Sequence, residues 1–425
     1  MGAWSRTKSQ PAPGGGVFYR TAMRYKWTLL AMLWGIVFFN YADRQALAAV
    51  IPLLRDAWHL TPVQEGMLGS AFAWTYGLSS PFAGRMVDRI RRRVALLGGF
   101  QIWSAVCVAT AFVPGVRSLL ALRAAEGLGE TAYFPASVSL ISDFHDQKTR
   151  SRALGLHQTG VYVGTIGGTT VAALLAQRYG WRSPFLVFGI AGIALGIVLQ
   201  FFIREPERRV RDERVGFGPA LKAILRTPSA VALLLAFVCA NAVAAVLLFW
   251  MPTYVHDHFK QNLAFAGFTA SFFAQAGSFA GAIFGGWSAD AATRRHRSGR
   301  MIVQGAALLL GLPFVVLAGA TTSLALVIVA FVGWGFFKGM YDANIFASMF
   351  DVTPASIRGT VVGVMNMAGW LFGAGTAPVL IGYIAERSSL AAAISSAALV
   401  YGAAAALLFV AAARNRSSQL ASAGS

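Results

Sequence analysis

Residues 84–93 have the sequence GRMVDRIRRR, and residues 286–295, which lie 202 positions later, have the sequence GWSADAATRR. Both segments follow the pattern Gly-x3-Asp-x3-Arg-Arg, and each follows an apolar stretch of helix length. A second repeat has an offset of 208 and matches Asp143, Arg150 and Gly155 with Asp351, Arg358 and Gly363. Two repeats at nearly the same offset predict a chain built from two similar halves.

The composition is that of a protein that lies in lipid. Hydrophobic residues make up 56% of the 425 residues and charged residues only 12%, and the mean hydropathy is +0.58. A soluble protein needs a more charged surface to cover such a core. Apolar segments of membrane-spanning length predict twelve helices, near residues 27–50, 63–84, 94–113, 119–141, 154–175, 183–203, 230–254, 264–287, 301–320, 324–350, 361–384 and 390–413. We therefore predict an all-α membrane protein with two pseudo-symmetric six-helix bundles.

The charged and flexible segments divide the chain into domains. The first bundle is predicted at 27–203 and the second at 230–413, with a cytoplasmic linker at 204–229 between them. Residues 1–26 contain prolines and three consecutive glycines and are expected to be a flexible tail. Residues 414–425 are expected to be a second tail.

The net charge of +19 is distributed unevenly between the two sides of the predicted membrane. Placing the amino terminus in the cytoplasm puts most arginines and lysines in cytoplasmic segments, which agrees with the positive-inside rule. The charge therefore indicates topology and contact with membrane lipids rather than nucleic-acid binding. We expect a multi-pass monomer in a bacterial-type inner membrane, with both termini in the cytoplasm.

Ionisable residues interrupt three of the predicted spans. Span one contains Asn40-Tyr41-Ala42-Asp43-Arg44, span four contains Arg123, Glu126 and Glu130, and span ten contains Lys338 and Asp342. Such groups are costly in hydrocarbon, so they should face a cavity or a partner. The spacing in span four places its three charges on one helical face. The offset of 208 places Glu130 and Lys338 at equivalent positions in the two halves.

Structural explanations exist for several of these charges. Asp43 and Arg44 form a possible local pair, Arg123 a possible anchor for span four, and Glu126 is better explained as structural than as substrate-facing. For Lys338, pairing with Glu130, pairing with Asp342 and binding of substrate remain open.

The repeated loop resembles the loop motif of the major facilitator superfamily, and Arg123-x2-Glu126-Gly127-x-Gly129 resembles the fourth-helix motif of that family. Parallel six-helix repeats are typical of its fold. Carboxylates at helix ends beside arginines are stabilised by helix dipoles and charge-assisted hydrogen bonds and can hold one conformation. The predicted gating residues are Gly84, Asp88, Arg92, Arg93, Arg150, Asp290, Arg294, Arg295 and Arg358.

The segment Asn40-Tyr41-x-Asp43-Arg44 also resembles the first helix of the organic anion:cation symporter group. This resemblance implies that Arg44 binds a substrate carboxylate, and that Asp43 and Glu130 couple transport to protons. The predicted substrate-binding residues are Tyr41, Arg44, Arg123, Lys338, Tyr341 and Asn366. However, Gly129-Glu130-Thr-Ala-Tyr133-x-Pro135 resembles the spinster-type lipid transporters equally well.

The predicted function is proton-coupled symport of a small organic anion, such as a sugar acid, by alternating access. An arginine provides a planar fork for a carboxylate, and a carboxylic acid shielded from water exchanges protons nearer neutral pH. A spinster-like carrier of lysolipid or lipid is the alternative, and a non-transporting membrane receptor is a third hypothesis. The sequence contains no recognisable nucleotide-binding loop, metal-ligand cluster or nucleophile motif. We therefore expect neither an enzyme nor a cofactor or metal site.

Overall fold

The structure, a computed structural model, describes residues 15–146, 149–205, 216–354 and 357–423. Every regular element in these residues is a helix, which confirms the predicted all-α fold. The helices of the first half are α1 (Gly15–Trp58), α2 (Pro62–Arg89), α3 (Arg92–Thr110), α4 (Val116–Glu130), α5 (Tyr133–Phe144), α6 (Arg150–Tyr179) and α7 (Ser183–Phe202).

The second half follows a short connecting helix, α8 (Phe217–Arg226). Its helices are α9 (Pro228–Phe259), α10 (Leu263–Arg295), α11 (Gly299–Ala320), α12 (Leu324–Asp342), α13 (Ile345–Asp351), α14 (Arg358–Ala368), a π-helix (Gly369–Ala374), α15 (Ala377–Arg387) and α16 (Leu390–Ala423). These helices make twelve passes, because α4–α5, α12–α13 and α14–α15 each form one interrupted span.

Three boundaries differ from the sequence prediction. Helix α1 begins at Gly15 rather than near residue 27, since no proline or glycine interrupts residues 17–34. Residues 1–14 of the predicted tail lie outside the described residues. The predicted linker contains α8, and α16 continues through most of the predicted tail at 414–425.

Nine of the twelve passes are apolar enough to be membrane spans by composition alone, within the described part of the chain. The other three are α1, α2 and the α4–α5 pair. Both α1 and α4 contain buried charges, and these charges lower the mean hydropathy of the segments that carry them.

Besides the pass that contains the π-helix, two passes are broken in the middle. Between α4 and α5, Pro135 explains the interruption, because a proline lacks the amide proton and its ring clashes with the carbonyl four residues earlier, that of Thr131. Between α12 and α13 the chain contains no proline. There the Asn344 side chain donates to the carbonyls of Met340 and Gly285, both at 3.0 Å, and so satisfies backbone groups at the break.

Contacts near the two termini mark one end of the molecule. Close to the start of α1, the Tyr25 hydroxyl donates to the carbonyl of Phe202, where α7 ends, at 3.0 Å. Ser298, which follows α10, donates to Ala412 near the end of α16 at 3.2 Å. We call this end the terminal side. The end at which α1 stops and α2 starts is the opposite side.

The halves pack tightly towards the opposite side. Gly66 of α2 lies against the backbone of Pro378 in α15, and Gly382 of α15 lies against Pro62. Residues without a Cβ let the two backbones approach closely, as is common between membrane helices. The start of α2 in this region is fixed by Thr61, whose side chain accepts from the Gln64 amide in a capping box.

Candidate functional site

Five buried charged residues from α1 and α4 lie together in the first half: Asp43, Arg44, Arg123, Glu126 and Glu130. The Arg44 Nε donates to Glu130 Oε2 at 2.5 Å, and a second guanidinium nitrogen of Arg44 also contacts this oxygen. One turn away along α4, Arg123 Nη1 donates to Glu126 Oε2 at 2.5 Å. The structure brings these five predicted residues together and shows how they pair.

The three carboxylates of this cluster lie close together. One oxygen each from Asp43, Glu126 and Glu130 lies within 4.8 Å of the others. The spacing would suit a cation, but two arginines already supply positive charge. With three acids and two arginines, one negative charge remains unbalanced when all five groups are ionised. Glu130 Oε1 has no hydrogen-bond partner among the described residues.

Four aromatic rings surround the Arg44 guanidinium. Its Cζ lies 4.5 Å from the ring centre of Phe72, 5.0 Å from those of Tyr41 and Tyr76, and 5.3 Å from that of Trp370. Trp370 belongs to the second half, whereas the other three rings belong to the first. Cation–π contacts of this kind stabilise a desolvated arginine side chain. Arg44 therefore lies where the two halves meet.

Trp370 is presented by an unusual backbone segment. The π-helix Gly369–Ala374 interrupts the eleventh pass, and such segments occur frequently at functional sites. The rings of Trp370 and Tyr76 lie 5.0 Å apart across the boundary between the halves. Asn366, a predicted substrate ligand, is half-buried one helical turn before Trp370.

The second half contributes one buried cation, Lys338, which pairs with Asp342 on the same helix. This geometry favours pairing of Lys338 with Asp342 over pairing with Glu130, because Glu130 pairs with Arg44. Lys338 also lies within electrostatic range of Tyr41 and Tyr162 of the first half. Tyr341, by contrast, is buried in the hydrophobic core of the second half.

The gating prediction concerns the loops on the terminal side. Arg92 forms an ion pair with Asp143 in the first half. In the second half Arg300 pairs with Asp351 at 2.9 Å and reaches Asp290 at 3.5 Å. Arg300 lies 208 residues after Arg92, and Asp351 lies 208 residues after Asp143. Arg300 was missed from the sequence, although applying that offset to Arg92 would have found it.

Other predicted gating residues have different environments. The Arg150 guanidinium donates to the carbonyl of Ser142 at 3.0 Å, and Arg358 repeats this contact with Phe350 at 3.2 Å. The backbone amide of Arg93 donates to Glu205 at 3.3 Å. Arg294 and Arg295 have exposed side chains. The contacts of Gly84 and Asp88 lie outside the described part of the structure.

An ion-pair network on the opposite side was not predicted. Arg55 Nε and Nη2 donate to the two oxygens of Glu65 at 2.5 and 3.0 Å, and its Nη1 donates to Asp257 at 2.6 Å. Glu65 belongs to the first half and Asp257 to the second. The network borders a cavity of about 450 Å³ whose lining also includes Trp250. We call Arg55, Glu65 and Asp257 the opposite-side latch.

The sequence matches the Major Facilitator Superfamily over residues 33–374, which is most of the chain. The chain belongs to the major facilitator superfamily. It is therefore a multi-pass membrane transporter and not an enzyme. The order and pairing of the helices described above agree with this assignment.

Three relatives of this chain are transporters or probable transporters. The probable chloroplastic anion transporter 4 of Oryza sativa subsp. japonica is 28% identical over 86% of this chain, and the match spans 64% of the length of that relative. The probable galactarate/D-glucarate transporter of Bacillus subtilis is 25% identical over 85% of this chain and 86% of that protein. The D-galactonate transporter of Escherichia coli is 26% identical, over 87% of this chain and 92% of that protein.

A solved structure shares the fold. The bacterial homologue of the human lysosomal transporter Spinster, in an inward-facing and unoccupied conformation, superimposes with a TM-score of 0.74. The two sequences are 21% identical, and the match covers 92% of this chain and 96% of that one. This likeness establishes the architecture alone.

Proposed function

We propose that this transporter carries a small organic anion, such as a sugar acid or another carboxylate, by proton-coupled symport. The observation that carries the proposal is Arg44, which is buried between the halves in a ring of aromatics and held by Glu130. An arginine in a desolvated site is a strong and geometrically specific ligand for a carboxylate. The relatives, which include galactarate and galactonate transporters, support the same substrate class.

Coupling to protons follows from the charge balance of the cluster. A substrate carboxylate that takes Arg44 leaves Glu130 without its partner, next to Asp43 and Glu126. Neighbouring carboxylates that are shielded from solvent repel one another strongly when they are ionised. Binding of a proton to Glu130 or Asp43 removes this repulsion, so anion and proton are loaded together. Neutralised charge then permits the site to close and the halves to rock.

The remaining assignments complete the proposal. The terminal side, with its exposed arginines, faces the cytoplasm of a bacterial-type inner membrane, and the opposite side faces outward. Arg123 and Tyr41 line the substrate site with Arg44, and Asn366 and Tyr341 are the predicted contributions of the second half. The arginine–aspartate pairs on the terminal side act as gating elements. The transporter works as a monomer, with residues 27–203 and 230–413 as its moving units.

The proposal is tested by uptake into liposomes that contain the purified protein. With an imposed pH gradient, labelled galactonate or galactarate should accumulate against its own gradient. Asp43→Asn and Glu130→Gln should each abolish pH-driven accumulation, and at least one variant should still exchange substrate between equal pools. Full accumulation in both variants would place the proton sites elsewhere.

The same preparation tests the alternative of a lipid substrate. If lysolipids stabilise the protein against heat at micromolar concentration, and no small carboxylate does so at millimolar concentration, the spinster-like function replaces the one proposed. Binding without any transport in liposomes would instead support a membrane receptor.

A further inference from the structure

The two halves hold their buried cations in parallel ways. Helix α4 ends at Glu130, and Glu130 pairs with Arg44. Helix α12 ends at Asp342, and Asp342 pairs with Lys338. In each half, therefore, the acid at the end of a broken membrane helix pairs with a cation, Glu130 with Arg44 and Asp342 with Lys338.

Each cation has a neighbour in the other half, which is Trp370 for Arg44 and Tyr162 for Lys338. Tyr41 of α1 lies 5.0 Å from the Arg44 Cζ and also within electrostatic range of Lys338. Tyr162 of α6 lies within electrostatic range of Lys338 and Asp342. The Lys338 side chain is 17% exposed, whereas that of Asp342 is 44% exposed. Asp342 thus has open space into which it can turn away from Lys338.

The Lys338–Asp342 pair is of an intrinsically weak kind. In a helix, a cation that precedes its anion by four residues is the less favourable order. Asp342 is also the last residue of α12, where the helix dipole disfavours a negative charge. A buried ammonium group still needs an anion. Asp342 therefore supplies that anion in the absence of a better one.

We propose that Lys338 is a second anion subsite, from which the distal carboxylate of a dicarboxylate substrate displaces Asp342 while Arg44 binds the proximal carboxylate. The substrate class is a short-chain diacid, such as a six-carbon sugar diacid. The Asp342 carboxylate occupies the position that the second substrate carboxylate takes. This inference rests on the proposed function, because it assumes that Arg44 binds the first carboxylate.

The test compares two acids with the same carbon skeleton, glucarate with two carboxylates and gluconate with one. Their affinities are measured by titration calorimetry on the purified protein. Lys338→Gln should weaken glucarate binding about tenfold, since the distal carboxylate loses its cation. Its effect on gluconate should stay below about threefold. Lys222→Gln, on the exposed surface of α8, is the matched control and should change neither affinity.

Asp342→Asn gives the more discriminating result. If Asp342 competes with the substrate for Lys338, its neutral variant should bind glucarate several-fold more tightly than the wild type does. A purely structural pair predicts the reverse, because both variants would then weaken both ligands equally and lower the melting temperature. That result would overturn the inference.

Failure of the inference is distinguishable from failure of the proposed function. If glucarate and gluconate both depend on Arg44 but respond equally to Lys338→Gln, the second subsite is wrong and anion transport stands. If Arg44→Ala leaves the affinity for both acids unchanged, the proposed function fails, and the inference fails with it.

Discussion

Arg55 at the end of α1 donates to Asp257 of α9 at 2.6 Å, across the boundary between the halves. Among the described residues, this is the ion pair that joins one half to the other. Glu65, which is fully buried, holds the same guanidinium by two further hydrogen bonds. Because Glu65 fixes Arg55 to the first half, the contact with Asp257 is the part of the latch that must break when this side opens.

Asp257→Asn should therefore favour opening of the opposite side. The pair is partly exposed, so its contribution is at most about 1 kcal/mol, or about fivefold in population. A cysteine introduced at Ser389, which lines the adjacent cavity, should react correspondingly faster with a water-soluble maleimide. The effect should shrink at high salt. Asp56→Asn, a neighbouring exposed acid, is the control, and equal labelling rates in all proteins would contradict a latch.

Arg44→Lys should weaken binding of the substrate anion by at least about tenfold, because an ammonium group lacks the bidentate fork. The positive charge is kept, so the change isolates geometry from charge. Calorimetric titration with the transported acid gives the affinity. Arg117→Lys, at an exposed arginine near the start of α4, should leave it unchanged. Wild-type affinity in Arg44→Ala would show that the anion binds elsewhere.

The two repeated pairs on the terminal side should differ in strength. Arg92 is largely buried beside Asp143, whereas Arg300 and Asp351 are both partly exposed. A double-mutant cycle on thermal unfolding, with each arginine changed to Gln and each aspartate to Asn, measures the coupling energies. We expect about 0.2–1 kcal/mol for Arg300–Asp351 and a larger value for the Arg92 pair. The opposite order would mean that exposure does not determine their strength.

Gly281→Ala should destabilise the protein. A Cβ at Gly281 would collide with the backbone of Phe336 in α12, and backbone cannot move aside as a flexible side chain can. Overpacking of this kind costs about 1–3 kcal/mol. On the same helix, a Cβ at Gly286 meets no atom of the described residues within 4 Å. Gly286→Ala is thus the matched control, and equal melting temperatures for the two variants would contradict the close packing of α10 and α12.

The fold could be predicted well from the sequence because its determinants are local. A run of about twenty apolar residues specifies a membrane helix by itself, and the offset of 208 identified the two halves. The breaks were harder to predict. Pro135 was a visible signal for the first, through its clash with the carbonyl of Thr131. The second depends on Asn344, whose side chain reaches the Gly285 carbonyl only after α10 has packed against α12.

The site was predicted in its charges but not in its pairing. Arg44 and Glu130 were recognised because ionisable residues are conspicuous in apolar spans. Their mutual contact depends on how α1 packs against α4, which spacing along one helix does not reveal. Phe72 was missed for another reason, since aromatic residues in membrane helices are common and most of them only pack. The pairing of Arg55 with Asp257 joins residues 202 positions apart and had no local signature.

The interruptions after Glu130 and Asp342 have a mechanical consequence. Sharp bends in helices occur where the backbone hydrogen-bond ladder is interrupted, as by a proline or an inserted side chain. Each half has such an interruption beside an acid that holds a cation. A change of partner at Glu130 or Asp342 therefore acts on the chain where its hydrogen-bond ladder is already interrupted, and not within a continuous helix.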